Sequence, residues 1–128
     1  MARSYTAFLN RDRIPDLSAL QSAIDALGFK LVVDEIYVPL QNSDYLPCTL
    51  DGEDAGLTLK FAKSDNVPGK DTALTLQWSG DPREQVSVMM LAATFAHGFA
   101  ATVLDQHQQA ISADALLAAA RTQFASLD

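Results

Sequence analysis

Apolar and polar positions recur along this chain at two periods, and the switches between them mark out strands and helices. In residues 3–9, Tyr5, Ala7 and Leu9 fall on one side and Thr6 and Phe8 on the other, which predicts a short strand. A polar loop follows. Leu17, Leu20, Ile24 and Leu27 then recur at helical spacing, so a first helix is expected over residues 17–27. Asp16 stands where an N-cap accepts the free amides of the first turn, and Gly28 where a left-handed residue closes a helix. Residues 29–33 form a compact β-branched run and are expected as a strand. Residues 34–47 turn irregular, punctuated by Pro39, Asn42, Ser43, Asp44 and Pro47, with Ile36, Tyr37, Val38 and Leu40 as a short strand or an ordered loop.

Residues 48–50 and 56–63 read as two strands around a turn at 51–55. Leu57, Leu59 and Phe61 alternate with Thr58, Lys60 and Ala62, the pattern of a half-buried strand. A turn containing Pro68 and Gly69 leads to residues 72–78, where Leu74, Leu76 and Trp78 oppose Thr75 and Gln77. These two runs make an antiparallel pair. Asp81, Pro82 and Glu84 then form a helix start, with Glu84 reaching back as the third residue of a capping box. Val88, Leu91, Ala92, Phe95 and Phe99 lie on one stripe, and Val86, Met90 and Ala93 on another, so this helix belongs in the centre of the molecule. It is expected to end near His97, with Gly98 as cap and residues 99–104 as a strand. A turn at 105–109, a short return at 110–111 and a last helix over 113–126, capped by Ser112, complete the chain. The order predicts one α+β domain over residues 1–128, with about three helices packed on a mainly antiparallel sheet.

Composition narrows the function classes. The chain has 128 residues, 16 acids against 9 bases and a net charge of −7. That charge repels phosphate backbones and anionic lipid, so neither nucleic acid nor a membrane surface is an expected partner. A single cysteine excludes an internal disulfide and a multi-cysteine zinc site. The opening residues reach Arg11 without the long apolar run of a secretory signal, which predicts a cytoplasmic protein. The uncharged stretch 86–104 is interrupted by Ser87, Thr94, His97, Gly98 and Thr102, and a buried helix suits it better than a membrane span.

The catalytic inventory is poor. His97 and His107 have no metal-ligand spacing and serve better as a helix-end cation and a polar-turn residue. Cys48 reads as a small buried hydrophobe, the alternative being a thiol activated by a histidine brought close in space. There is no phosphate-binding glycine loop and no nucleophile elbow. The run Asp51-Gly-Glu-Asp departs from the calcium-loop pattern and reads as a hairpin turn. No enzyme, no catalytic residue, no metal and no cofactor is expected. What stands out is charge placement: Asp34, Glu35, Asp44, Asp51, Glu53 and Asp54 fall in one stretch without a single Lys or Arg, interleaved with Tyr37, Tyr45 and Leu46. Acidic charge steers a basic partner, and tyrosine anchors the contact. The candidate partner-binding residues are therefore Asp34, Glu35, Asp44, Tyr45, Leu46, Asp51, Glu53 and Asp54. A solvated acidic rim is the plainer alternative.

The stretch Asp44-Tyr-Leu-Pro-Cys-Thr-Leu-Asp-Gly-Glu-Asp-Ala-Gly, the two strands and Ala-rich helix after it, Val103-Leu-Asp and Ser112-Ala-Asp-Ala-Leu together resemble small immunity proteins. These accompany bacterial polymorphic toxins delivered by contact-dependent or type VI secretion, and the resemblance covers roughly residues 44–120. It implies a cytoplasmic, non-enzymatic inhibitor that binds one cognate toxin over its active site, and it assigns no contact residue. The acidic surface adds that the toxin has a basic face. An accessory or chaperone-like subunit that binds a secretion effector for delivery is the second expectation.

Overall fold

The structure, a computed structural model, describes residues 3–127. Its centre is the helix α2 (Pro82–Gly98), in which every residue from Val86 through Phe95 is buried. Each large aliphatic or aromatic side chain withdrawn from water there contributes about 1.5–3 kcal/mol. The two polar members of the run satisfy themselves within the helix: the Ser87 hydroxyl donates to the Arg83 carbonyl and the Thr94 hydroxyl to the Met90 carbonyl. Against α2 pack α1 (Leu17–Ala26), α3 (Ala113–Ala125) and a six-stranded sheet.

The strands are β1 (Ser4–Leu9), β2 (Leu31–Val33), β3 (Ser43–Leu46), β4 (Cys48–Leu50), β5 (Glu53–Asp54), β6 (Leu57–Lys63), β7 (Thr72–Gln77), β8 (Thr102–Leu104) and β9 (Ala110–Ile111). The large sheet has the order β3-β6-β7-β1-β8-β9, and a small one the order β2-β4-β5. Every described pair is antiparallel. The alternation seen in the sequence sets the faces. Register brings Tyr5 opposite Leu76, Ala7 opposite Leu74 and Leu59 opposite Leu76, a buried apolar layer beneath α2. The fold is α+β, as the element order predicts. No described helix is long and apolar enough to cross a membrane.

Local chemistry explains the helix ends. Asp16 caps α1 by accepting the Ala19 N–H at 2.8 Å, and Gly28 takes the left-handed conformation (φ 78°) after it. Asp81 caps α2 by accepting the Arg83 N–H. Glu84 does not close the expected capping box: its carboxylate accepts instead from the N–H and hydroxyl of Ser79, further upstream. At its far end α2 runs through Gly98, and the left-handed turn comes two residues later, at Ala100 (φ 59°). There Phe99 stays tilted against Phe95, and the Lys70 ammonium donates to the Ala100 carbonyl at 2.7 Å. The strand expected over 99–104 is thereby shortened to β8.

The segment between β2 and β3 is an ordered loop, with Tyr37 as its anchor. The Tyr37 side chain is buried, and its hydroxyl donates to the Pro15 carbonyl at 2.9 Å. Burial, aided by Asp16, raises its phenol above the ordinary range, so it remains a neutral donor. The loop then turns away at Leu40 (φ 67°). Strand β3 lies within the stretch expected as irregular. It pairs with β6 through Ser43 opposite Leu59 and Leu46 opposite Leu57, one residue more on β3 than on β6, which is a bulge. The extra residue breaks the alternation by which a strand is recognised. On the small sheet, the Gln21 amide donates to the Leu31 carbonyl and accepts the Val33 N–H, so α1 seals the outer edge of β2 with a side chain.

Two stability tests follow from these anchors. Tyr37→Phe leaves the Pro15 carbonyl without its buried donor and is expected to cost about 1–2 kcal/mol in urea unfolding. Ala100→Gly removes the penalty of a side chain in left-handed backbone and is expected to add about 0.5–1 kcal/mol in the same assay.

Candidate functional site

The acidic stretch is carried largely by the small sheet and the strand beside it. The hairpin from β4 to β5 turns on Asp51 and Gly52 alone, both with positive φ (51° and 84°), the geometry an Asp-Gly pair favours. Glu53 and Asp54 are thus strand residues and not part of a five-residue turn. Register sets Val32, Thr49 and Asp54 in one row across the sheet, and Leu31, Leu50 and Glu53 in the next. Leu31, Val33, Cys48 and Leu50 are buried, so the row of Val32, Thr49 and Asp54 faces outward.

That outward row forms one side of a groove of about 420 Å³, completed by Asp34, Tyr45, Pro47 and Cys48. Val32 and Tyr45 are 56% and 51% exposed, and Ile36 and Val38, outside the groove, are exposed as well. The hydroxyl end of the Tyr45 ring packs against Gly56, where an added Cβ would collide with Cζ, Cε1 and the hydroxyl oxygen. Gly56, just before β6, therefore leaves the room that the Tyr45 side chain fills. Asp34 is fixed through its carboxylate, which accepts the Ile36 N–H at 3.0 Å. No lysine or arginine lines the groove.

The eight residues expected to bind a partner therefore separate. Asp34, Tyr45 and Asp54 converge. Glu35 and Asp44 are exposed but form no part of the groove wall. Asp51 and Glu53 line a different depression, with Arg83 and Phe124, near the end of α3. Asp51 also lies 3.8 Å from the Lys30 ammonium, an exposed pair worth little. Leu46 is corrected outright: it is 1% exposed, because the β3 bulge turns it into the core beside Leu57. The groove residues Val32, Pro47 and Thr49, and Gly56 behind Tyr45, escaped the sequence reading. Val32 sits in an all-apolar run whose exposed side alternation could not single out, and Gly56 carries no mark of the side chain packed against it.

The remaining candidates lie elsewhere. The His97 ring nitrogen Nε2 is 3.0 Å from the Ala113 carbonyl and 3.8 Å from the Asp114 carboxylate, linking the end of α2 to the start of α3. His107 is exposed in a turn organised by the Asp105 carboxylate. Among the described residues no group of three or more His, Cys, Asp or Glu side chains converges as a metal site requires. Cys48 touches the groove but is only 4% exposed. Burial first, and the negative charge of Asp34 second, push its thiol up to about 12. At neutral pH it is a protonated thiol and a poor nucleophile. Comparison with known proteins gives no match: no protein family, no curated protein and no solved structure is similar to this chain.

The Cys48 thiol provides a direct check. Iodoacetamide is expected to modify it slowly at pH 7.5 in the native protein and rapidly in urea. An unfolded thiol ionises near its ordinary value of 9.0 while the folded one stays protonated up to about 12. Its contribution to stability is therefore complete below pH 9 and is lost as pH rises through that window, a slope that Cys48→Ala should remove.

Proposed function

We propose that this chain acts by binding a basic protein surface in the groove of Asp34, Tyr45 and Asp54, and that the partner is a cognate bacterial toxin which the chain neutralises by covering its active site. The observation that carries the reading is convergence. Three residues separated in sequence, two acids and an aromatic, meet around an exposed apolar patch with no base beside them. The arrangement suits an interface: Val32 and Tyr45 offer apolar contact area, while the carboxylates attract lysine or arginine and speed encounter. Tyr45, seated on Gly56, is held in place before binding, so little side-chain freedom is lost on contact. The resemblance of residues 44–120 to immunity proteins gives the partner its class.

The test pairs growth rescue with affinity. Toxin-like domains encoded beside the gene are expressed with and without this chain, and binding is measured for any domain that is neutralised. Asp54→Lys together with Asp34→Asn, which keeps the acceptor for Ile36, is expected to weaken binding at least about tenfold and to abolish rescue. Asp51→Lys with Glu53→Lys, on the far depression, should leave both unchanged. The reverse pattern would move the interface to the end of α3. Binding without rescue would favour a delivery subunit over an inhibitor.

A further inference from the structure

Register gives the groove beside Tyr45 a definite plan. Val32, Thr49 and Asp54 form one outward row across β2, β4 and β5. The Asp34 N–H donates to the Pro47 carbonyl and the Ala55 N–H to the Cys48 carbonyl, so both ladders continue past the strand ends. A second outward row therefore consists of Asp34, Pro47 and Gly56, and the hydroxyl end of Tyr45 fills the place that Gly56 leaves empty. Thr49 and Pro47 make the floor. Val32 and Asp34 form one wall, and Asp54 and Tyr45 the other, so the two carboxylates occupy diagonal corners. Two strand spacings and two residues of rise separate their Cα atoms by about 12 Å.

The polar groups around this floor are uncommitted. Asp34 uses one carboxylate oxygen to accept the Ile36 N–H. Among the described residues nothing hydrogen-bonds its other oxygen, the Asp54 carboxylate, or the hydroxyls of Thr49 and Tyr45. Lys30 stands in the row on the far side of Val32, 3.8 Å from the Asp51 carboxylate, and does not line the groove. Val32 and Tyr45, each about half exposed, border the same space with apolar surface. A lysine ammonium is a compact charge with three donors, and across such a span it sits against one carboxylate at a time. A guanidinium is planar, presents five donors along its edges and reaches acceptors on two sides at once. Its face stacks on a tyrosine ring, and its stem lies on apolar surface.

We propose that the groove is a receptor for one arginine side chain of the partner, which enters over Thr49 and Pro47 with its guanidinium between Asp34 and Asp54. Its stem lies against Val32 and Tyr45, and the Thr49 hydroxyl accepts a donor from below. The inference rests on the reading of this groove as the interface, and it narrows a basic surface to one residue type at one position. Lysine at that position keeps the attraction but gives up one of the two carboxylate contacts.

The test is an NMR titration of the isotope-labelled full chain at low ionic strength with the amides of N-acetyl-arginine, N-acetyl-lysine and N-acetyl-citrulline. Citrulline keeps the shape of arginine without its charge. The expected result is millimolar binding of the arginine probe, with shifts centred on Val32, Asp34, Tyr45, Thr49 and Asp54. The lysine probe should bind at least about fivefold more weakly, and the citrulline probe not at all. Asp34→Asn and Asp54→Asn should each weaken the arginine probe at least about threefold. Glu35→Gln, which removes the same charge outside the groove, should not. Equal binding of arginine and lysine, shifts centred elsewhere, an equal loss in Glu35→Gln, or no shift at the solubility limit of the probe would each overturn the proposal. Growth rescue is scored separately. Rescue that depends on Asp34 and Asp54 in a chain without arginine preference would sink the arginine receptor and leave the toxin reading standing. Arginine binding in this groove with no toxin neutralised would do the reverse.

Discussion

Everything in this molecule is arranged around the burial of α2. Ten consecutive buried residues require cover on all sides, and one sheet face cannot supply it. The large sheet covers one side, α1 and α3 others, and the small sheet completes the enclosure through β4. The small sheet therefore exists to close a core, and one of its faces must be apolar. Its other face, relieved of that duty, is where Val32, Thr49 and Asp54 are displayed. The candidate groove is a by-product of how the central helix is wrapped.

The parts of the fold visible in sequence were those governed by local rules. The period of α1 and its Asp16 cap, the Asp81-Pro82 start of α2, and the alternation of β6 and β7 all carried through, because each depends on neighbours within one turn or one pleat. What escaped depends on distant partners. Strand β3 is defined by pairing with β6 across a bulge, which hides it from any periodicity. Ala100, and not Gly98, takes the left-handed position because Phe99 remains packed on Phe95 and Lys70 holds the Ala100 carbonyl.

The acidic stretch shows the same division. Its composition was plain in the sequence, but composition does not assign faces. Glu53 and Asp54 are neighbours in the chain and point to opposite sides of β5; Tyr45 and Leu46 are neighbours, one half exposed and the other in the core. A charge count treats such residues as one patch, whereas strand geometry splits them between two surfaces. Only Asp34, Tyr45 and Asp54 remain together, and their meeting depends on Gly56, whose contribution is the absence of a side chain.

The Asp51-Gly52 turn has a consequence for how such a surface can change over evolutionary time. A two-residue turn locks the phase of β5 against β4, and a strand shifted by one position turns every side chain to the other side of its sheet. Inserting a single residue in this turn would exchange the places of Glu53 and Asp54, moving one carboxylate out of the groove and another in, with no substitution at either position. Loop length would thereby act as a coarse dial on specificity, while the core beneath, set by Leu31, Val33, Cys48 and Leu50, need not change at all.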